Sequence, residues 1–492
     1  MAHAPSSPFG STAVRRVAQP DPNDRRPSWV GPWAVFALFS ALCGDFWRNL
    51  VGWTGFTIIA VAVVASSALI LWWKRPLPKL THLPRPLMLF LIWCALSLIW
   101  SHYRPETLLA LAAQWAGVIV ALALAVRLTK VEFIDHLSQA LRLIVGLSLV
   151  FELIAAIFFP QGILPVYLLP EGALEKWTTV PGQAPPTEPH PAVYWTQSLL
   201  FNNAAIQGIP GNRNLLGMVA LLAVITIAVQ IAAKRLTGWY GWGWLVISLV
   251  TLLLSRSATA VVTLVMAGVA VGLVWLARRL NLKRRIVMYA TVVLAIIVGS
   301  TALAIWPDEL FGLVNRSGDL SGRGDVWHAV VQVASDNWLL GLGWMSYWAP
   351  WIEPYRTLAI MDGVQYLQAH NAYLDVWMQT GVVGLFFFIG IVLSTSLRTW
   401  LLAIDQPQRD ASGPRPTPHT AVLGFLLMAA LGLQSLTESR LLLEGNWILL
   451  VYLAVYSKLR IQDLPALPRR EVTTQTGPIR TDPLQRAGLT AQ

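Results

Sequence analysis

Two residues of this chain, Arg323 and His370, have side chains suited to reaction chemistry and lie in polar sequence between long apolar segments. Arg323 is part of SGRGDVW, and His370 is part of QAHNAYLDVW. A guanidinium group can hold a phosphate through two parallel hydrogen bonds, and a neutral imidazole can accept a proton. The pair therefore predicts an anion-binding residue and a general base in one loop.

Each of these residues also has a simpler interpretation. Arg323 alone is consistent with a solvated loop charge or a partner of Asp325, and His370 alone with a structural histidine. A third basic residue, Arg256, interrupts an apolar run in TLLLSRSATAVV. A central arginine in a membrane helix costs about 2.5 to 3.5 kcal/mol, so Arg256 needs an anionic partner. Otherwise it lies in a tight turn from which its side chain reaches the lipid headgroups.

The composition defines the surroundings of these residues. The chain has 492 residues, of which 55% are hydrophobic and only 12% are charged, and this excludes an ordinary soluble domain. Apolar segments recur that are long enough to cross the bilayer as helices, and they predict an all-α polytopic protein with about twelve transmembrane helices. The predicted spans are 29–46, 52–73, 84–101, 107–126, 141–159, 214–233, 239–255, 258–277, 286–306, 382–400, 420–437 and 441–458.

The distribution of basic residues predicts the orientation. With the N-terminus inside, most Lys and Arg residues lie on the cytoplasmic side, including Lys74, Arg75, Lys79 and the basic run at 278–285. Topology and anionic lipid headgroups then account for the net charge of +11, without a nucleic-acid partner. We therefore expect a multi-pass protein of the cytoplasmic membrane, and the family resemblance described below implies that this is the inner membrane of a bacterium.

The predicted organisation is a membrane domain between two polar tails. Residues 1–28 and 461–492 have the composition of disordered cytoplasmic tails, and residues 29–460 form the membrane domain. Two outward segments are too long to be simple connections, so we expect function to lie there. They are a Pro-rich first loop at 161–212 and a larger helical loop at 307–381, between the ninth and tenth membrane helices.

Local patterns predict short helices in these loops. Apolar residues after SGRGD recur at helical spacing, so a helix should begin near Asp325. A second helix is expected at 366–379 with His370 on its membrane-facing side, and a third at 195–201 in the first loop. Glu152, within the fifth span, is expected to pair with a neighbouring polar group.

The outer loops contain no clustered metal ligands apart from the adjacent Asp308 and Glu309 in WPDEL, which we interpret as a solvated loop start. The sequence therefore requires no metal and no other cofactor.

Several polar motifs occur in a distinctive order. They are GIPGNRNLLGMVALL at 208–222, LLLSRSATAVV at 252–262, LSGRGDVWHA at 320–329, GLGW at 341–344 and AHNAYLDVWMQTGVVGLFFF at 369–388. In this order, the chain from about 200 to 440 resembles the O-antigen ligase and Wzy-type polymerase superfamily. The order is more specific than any single motif.

The resemblance implies a membrane glycosyltransferase of the C type. Such an enzyme moves a glycan from a polyprenyl (undecaprenyl) diphosphate carrier to an acceptor hydroxyl at the outer membrane face, as in lipopolysaccharide biosynthesis. By position in the motifs, Arg256 and Arg323 would bind the diphosphate, and His370 would activate the acceptor. The other candidates for substrate binding are Arg213, Asn214, Asn371 and Glu438.

Two alternatives stay open from the sequence. A Wzy-type polysaccharide polymerase would use the same donor but pass the chain to another carrier-linked unit. A transporter or flippase for a lipid-linked glycan would also suit about twelve helices with outward arginines, although no paired broken helices or inverted repeats are evident.

Overall fold

The protein is described here from a computed structural model that covers residues 29–73, 78–178, 189–306, 323–361, 364–405, 408–410, 413–415 and 418–462. The predicted N-terminal tail lies outside these ranges. So does the predicted C-terminal tail, except for its first two residues, which continue the last helix. Asp308 and Glu309 also lie outside the described residues.

Helices make up nearly all of the described structure, together with two short antiparallel hairpins, β1–β2 and β3–β4. The helices are α1 (Val30–Leu42), α2 (Gly44–Trp73), α3 (Arg85–Leu96), α4 (Arg104–Arg127), α5 (Lys130–Phe158), α6 (Ala173–Thr178), α7 (Arg213–Ala232), α8 (Gly238–Leu254), α9 (Ala258–Arg279), α10 (Leu282–Ile305), α11 (Arg323–Asp336), α12 (Ala372–Ile404), α13 (Leu423–Gln434) and α14 (Glu444–Gln462). The strands are β1 (Ile360–Met361), β2 (Val364–Gln365), β3 (Gln408–Asp410) and β4 (Gly413–Arg415).

The predicted fold class is confirmed. Each predicted span coincides with a helix, and seven helices in the described part of the chain are long and apolar enough to cross a membrane. Shorter apolar helices such as α1 and α8 accompany them. The protein is an all-α polytopic membrane protein.

The helices differ in how much of their surface is covered by protein. Nearly every residue of α7 from Leu216 to Gln230 is buried, because α7 packs against α5, α8, α9 and α13. By contrast, α10 exposes apolar side chains along most of its length, such as Val293 and Ile296. Such a face suits contact with lipid chains rather than water. The bundle is therefore built around α7, with α10 at its periphery.

The larger loop has its own hydrophobic core beside the bundle. Val326 and Val330 of α11 are buried there with Trp348 and Tyr355. The hydroxyl groups of Tyr103, at the start of α4, and Tyr355 lie 2.9 Å apart. The helix predicted near Asp325 is confirmed, and its apolar side fastens the loop to the bundle.

The predicted loop helix at 366–379 begins later than expected. Its first residue is Ala372, so His370 lies just before the helix and not on its membrane-facing side. The helix then continues into the membrane as part of α12 through a kink at Gly381, where φ is +66°. Only glycine suits this position, since a Cβ there would collide with the Leu339 carbonyl. The loop helix and the tenth predicted span are therefore one kinked element.

The first loop is fixed to the bundle by Glu152, which is fully buried in α5. Its carboxylate accepts hydrogen bonds from the Thr196 hydroxyl at 3.0 Å and from the backbone N–H groups of Gln207 and Gly208 at 2.9 and 2.6 Å. The expected polar partner of Glu152 is thus the loop itself. The helix predicted at 195–201 is wrong: this stretch contains no helix, and Thr196 bonds to Ile163 and Glu152 instead.

We predict that Glu152→Gln loosens the first loop. The amide oxygen can take the place of Oε1 and still accept from the two backbone N–H groups, but the amide N–H groups then face the Thr196 hydroxyl. The negative charge that strengthens these hydrogen bonds is also lost, and together these changes cost about 1 to 3 kcal/mol. The expected result is a lower melting temperature in detergent and faster proteolysis between residues 196 and 209. Glu171→Gln, at an exposed position of the same loop, is the matched control. Equal melting temperatures and cleavage rates for the two variants would contradict this role of Glu152.

Candidate active site

A single buried carboxylate, that of Glu438, joins the polar residues at one end of the bundle. Its side chain is 7% exposed and lies in the connection between α13 and α14. Oε1 accepts hydrogen bonds from Arg323 Nη2 at 2.8 Å and from Asn214 Nδ2 at 3.2 Å. Oε2 lies 2.9 Å from His370 Nδ1 and accepts from Gln368 Nε2 at 3.2 Å. Residues distant in the sequence therefore meet at one charge.

These contacts keep the carboxylate ionised. Burial by itself raises the pKa of Glu438, but the hydrogen bond from His370 and the positive charges of Arg323 and Arg440 outweigh it. The resulting pKa lies below the usual value. An ionised carboxylate accepts hydrogen bonds and cannot donate one. The proton between Glu438 and His370 therefore belongs to the imidazole.

The imidazole of His370 is oriented by this bond. With the proton on Nδ1, the other ring nitrogen, Nε2, carries a lone pair, and it is buried without a hydrogen-bond partner among the described residues. The ring of Tyr366 stands edge-on to the imidazole, with 5.4 Å between ring centroids. In the neutral imidazole, Nε2 thus carries a lone pair that is shielded from water, which is the arrangement of a potential proton acceptor.

The backbone around His370 is held firmly as well. His370 has a left-handed conformation with φ of +50°, which is uncommon for a residue other than glycine. On its N-terminal side, the Ala369 carbonyl accepts from the Trp327 indole at 2.9 Å, and the Ala369 N–H donates to Asp375 at 2.9 Å. Asp375 also accepts from the Trp348 indole at 2.6 Å. The loop core therefore fixes the direction of the imidazole.

Asn371 follows His370 and begins α12. Its side-chain oxygen accepts from the N–H groups of Tyr373 and Leu374, which satisfies two donors of the first helical turn. Its amide donates to the Leu436 carbonyl at 3.2 Å. Both the oxygen and the nitrogen of the Asn371 side chain therefore form hydrogen bonds within the protein. The expected role of Asn371 in substrate binding stays a prediction.

Asn214 connects Glu438 to the turn that contains Arg256. It lies in the first turn of α7, where Asn212 is the N-cap, and its side-chain oxygen accepts from the Ser257 hydroxyl at 3.1 Å. Ser257 in turn caps α9. The GNRN and SRS motifs are therefore neighbours in space.

Arg256 and Arg213 lie at the edge of this network. Arg256 is exposed in the turn between α8 and α9, with φ of +48°, and its guanidinium donates to Asn203 of the first loop. No hydrogen bond or ion pair in the described structure joins it to Arg323 or Glu438. Arg213 is exposed, without a hydrogen bond or ion pair in the described ranges. Asn203 is neutral, so the anionic partner expected for Arg256 is not a described protein side chain.

The structure adds residues that the sequence analysis missed. Gln368 donates to Glu438, and its side-chain oxygen accepts from the Ser439 N–H at 3.3 Å. Asp375 supports the peptide that precedes His370. Both lie within or beside the AHNAYLDVW motif, and that proximity is the signal by which they could have been found. Arg323 pairs with Glu438 rather than with Asp325.

No group of three or more His, Cys, Asp and Glu side chains within the described ranges is placed to hold a metal ion.

The fold and the site together define a polytopic helical membrane protein with a buried acid–base pair at one end of its bundle. Residues 243–389 match the family model described as Wzy_C, O-antigen ligase, and this range includes Arg256, Arg323 and His370. The resemblance to the O-antigen ligase and Wzy-type superfamily is confirmed.

A similar curated protein is the exopolysaccharide production protein ExoQ of Rhizobium meliloti (strain 1021). The two chains are 25% identical over 244 residues. The match covers 44% of this chain and 54% of the relative, so the chain spans about half the length of that protein.

We predict a characteristic pH dependence for Glu438→Gln. Because folding lowers the pKa of Glu438, the ionised group stabilises the folded state fully above its usual pKa of 4.5. This contribution is lost as the pH falls through the folded-state value. At neutral pH the variant should lose about 3 to 5 kcal/mol of stability, since it leaves Arg323 without its buried partner.

The measurement is the melting temperature of wild type and variant in detergent from pH 7 to pH 3. The difference between them should stay constant down to about pH 4.5 and shrink below it. Glu353→Gln, an exposed position in the larger loop, should show no such difference. A difference between wild type and Glu438→Gln that grows on acidification would contradict this assignment.

Proposed function

We propose that this protein is a membrane glycosyltransferase of the O-antigen ligase type. It transfers a glycan from a polyprenyl diphosphate carrier to an acceptor hydroxyl at the outer face of the cytoplasmic membrane. The observation that carries this proposal is the contact between Glu438 and His370 Nδ1, which leaves Nε2 as a lone-pair acceptor on an imidazole that shares the Glu438 carboxylate with Arg323.

In the proposed reaction, His370 Nε2 accepts the proton of the acceptor hydroxyl. The acceptor oxygen attacks the anomeric carbon of the donor glycan while the bond from that carbon to the diphosphate oxygen breaks. Attack from the side opposite the leaving group inverts the anomeric centre. Glu438 stabilises the imidazolium that forms and holds the ring in the productive tautomer, as the carboxylate does in other acid–base pairs.

The leaving diphosphate requires positive charge, which the arginines supply. Arg323 uses one Nη group to bond Glu438, and its remaining N–H groups are available to a phosphate oxygen. Arg256 is exposed at the same end and donates only to a neutral amide in the described structure. Cations in a water-poor site stabilise the developing negative charge more strongly than in bulk water.

A membrane location suits a lipid-linked donor. The helices would place the polyprenyl chain in the hydrocarbon region, and the site would meet the diphosphate at the surface. The concentration of Lys and Arg between helices on the other side supports an outward orientation of the site.

The first test of the proposal is His370→Ala. Loss of a general base lowers a rate by about 10²- to 10⁴-fold, so glycan transfer should fall by that factor. Carrier binding should stay nearly unchanged, since the arginines remain. His328→Ala, an exposed histidine on α11, is the matched control. The assay uses purified full-length protein with a polyprenyl diphosphate glycan, and transfer by His370→Ala at the wild-type rate would refute the role of the histidine.

The second test concerns the arginines. Arg256→Ala and Arg323→Ala should weaken carrier binding and slow transfer, and lysine at either position should restore activity only in part, because an ammonium lacks the planar fork. Arg356→Ala, an exposed position of the larger loop, is the control. Carrier affinity and transfer rate equal to wild type in both alanine variants would exclude diphosphate binding by these residues.

The second candidate function is a Wzy-type polymerase. We retain this alternative because the similar protein is named for exopolysaccharide production. The donor half of the reaction would be the same. Incubation with donor and acceptor separates the two: a ligase yields one new product band, whereas a polymerase yields a ladder.

A further inference from the structure

We propose that the end of the bundle opposite Glu438 binds the phosphodiester headgroup of an anionic phospholipid. The site is formed by Lys130, Arg278 and Arg460, which we call the basic cluster. This inference does not depend on the proposed glycan transfer, because it uses only the fold and its charges.

The basic cluster is assembled from the ends of separate helices. Lys130 is the first residue of α5, Arg278 is the penultimate residue of α9, and Arg460 lies in the last turn of α14. Phe133 of α5 stacks on Tyr452 of α14, with 3.5 Å between the ring centroids. Arg278 of α9 bonds Ala403 of α12, and α12 is joined to α14 near Arg460 by the hydrogen bond from Arg398 to Ser457. At 1.5 Å per residue, Arg460 is about 24 Å along α14 from its start near Glu438. The cluster is therefore far from the candidate active site, near the opposite bilayer surface.

The hydrogen-bond partners of the cluster are neutral. Arg278 donates through Nε and Nη2 to the Ala403 carbonyl, at 3.0 and 2.7 Å. Arg460 Nε donates to the Tyr456 hydroxyl at 3.1 Å. In the described ranges, Lys130 has no hydrogen bond from its side chain, and none of the three cations forms an ion pair with a carboxylate.

The neighbouring carboxylates of the described chain are used elsewhere. Glu132 accepts from the backbone and side chain of Thr129, which caps α5. Asp135 pairs with Arg235 at 2.6 Å, and Asp405 pairs with Arg285 at 2.8 Å. These acids therefore do not neutralise the basic cluster.

Arg398 adds to this excess of positive charge from within the bundle. It belongs to α12, and its side chain donates to the hydroxyl groups of Ser457 on α14 and Thr395 on α12 at 3.1 and 3.2 Å. Ser457 is one helical turn from Arg460. Another cation with only neutral partners thus lies next to the cluster, on its membrane side.

Partly buried like charges repel one another unless an anion lies among them. The ends of transmembrane helices lie at the depth of the headgroups, where phosphodiesters are concentrated, and basic pockets between membrane helices suit them. A lipid phosphate could accept hydrogen bonds from the guanidinium and ammonium groups that the protein leaves without charged partners. An anionic lipid fits this site better than a zwitterionic one, whose own ammonium group offsets the phosphate.

The test measures lipid binding by the purified full-length protein, using native mass spectrometry and melting temperature. Phosphatidylglycerol should bind and raise the melting temperature more than phosphatidylcholine at the same concentration. In Lys130→Gln/Arg460→Gln, phosphatidylglycerol should bind about tenfold more weakly or worse, as expected for the loss of charged hydrogen bonds. Lys283→Gln/Arg284→Gln removes two exposed charges from the start of α10 and should bind as wild type does.

A variant that keeps both charges distinguishes the loss of charge from misfolding as the cause of weaker binding. Lys130→Arg/Arg460→Lys should retain the preference for phosphatidylglycerol, which shows that charge and not side-chain shape is recognised. The proposal is overturned if the neutral double variant binds phosphatidylglycerol as tightly as wild type. It is also overturned if inorganic phosphate alone gives the same stabilisation at equal concentration, because the ligand would then be a free anion.

Discussion

An ionised carboxylate that is buried in a protein must be compensated by donors and positive charge, and Glu438 imposes this constraint on one end of the helical bundle. Its compensation comes from α7, α11 and the segment before α12. Other hydrogen bonds, such as that from Asn371 to the Leu436 carbonyl, join the same parts of the chain. The carboxylate thus sets the position of Arg323 and His370 relative to each other.

The same constraint gives the site its rigidity. His370 is fixed through its ring by Glu438, and its peptide is fixed through Ala369 by Asp375 and Trp327. The larger loop that supplies these groups has a separate hydrophobic core. In the proposed reaction, a base that is oriented before the substrate arrives needs little reorganisation. The loop core would orient it through the Ala369 peptide and through the Tyr366 ring, which contacts the imidazole.

The sequence correctly predicted those features of the fold that depend on one local physical rule. The membrane spans follow from bilayer thickness, and α11 follows from helical spacing at Val326 and Val330. The central position of Glu438 could not be derived in this way. It depends on which residues, distant in the sequence, the fold brings together around the carboxylate. Its sequence, LTESRLLLEGNW, resembles an ordinary polar turn.

The wrong predictions have specific physical causes. A helix at 195–201 was expected from local composition, but buried Glu152 and the bridge between Ile163 and Thr196 hold that backbone in an irregular form. His370 was expected on a helix because its neighbours have helical spacing. Asn371 caps the helix one residue later, and the left-handed conformation of His370 turns the imidazole toward Glu438. In both cases, contacts distant in the sequence override the local pattern.

The central claim is that Glu438 fixes the proton of His370 on Nδ1 and leaves Nε2 as the base. Solid-state NMR of protein with ¹⁵N-labelled histidine tests it directly, with the His370 signals assigned by their loss in His370→Gln. The account predicts a protonated Nδ1 and an unprotonated Nε2 at neutral pH. A protonated Nε2 with a bare Nδ1 would contradict it, because His370 could then neither donate to Glu438 nor accept a proton at Nε2.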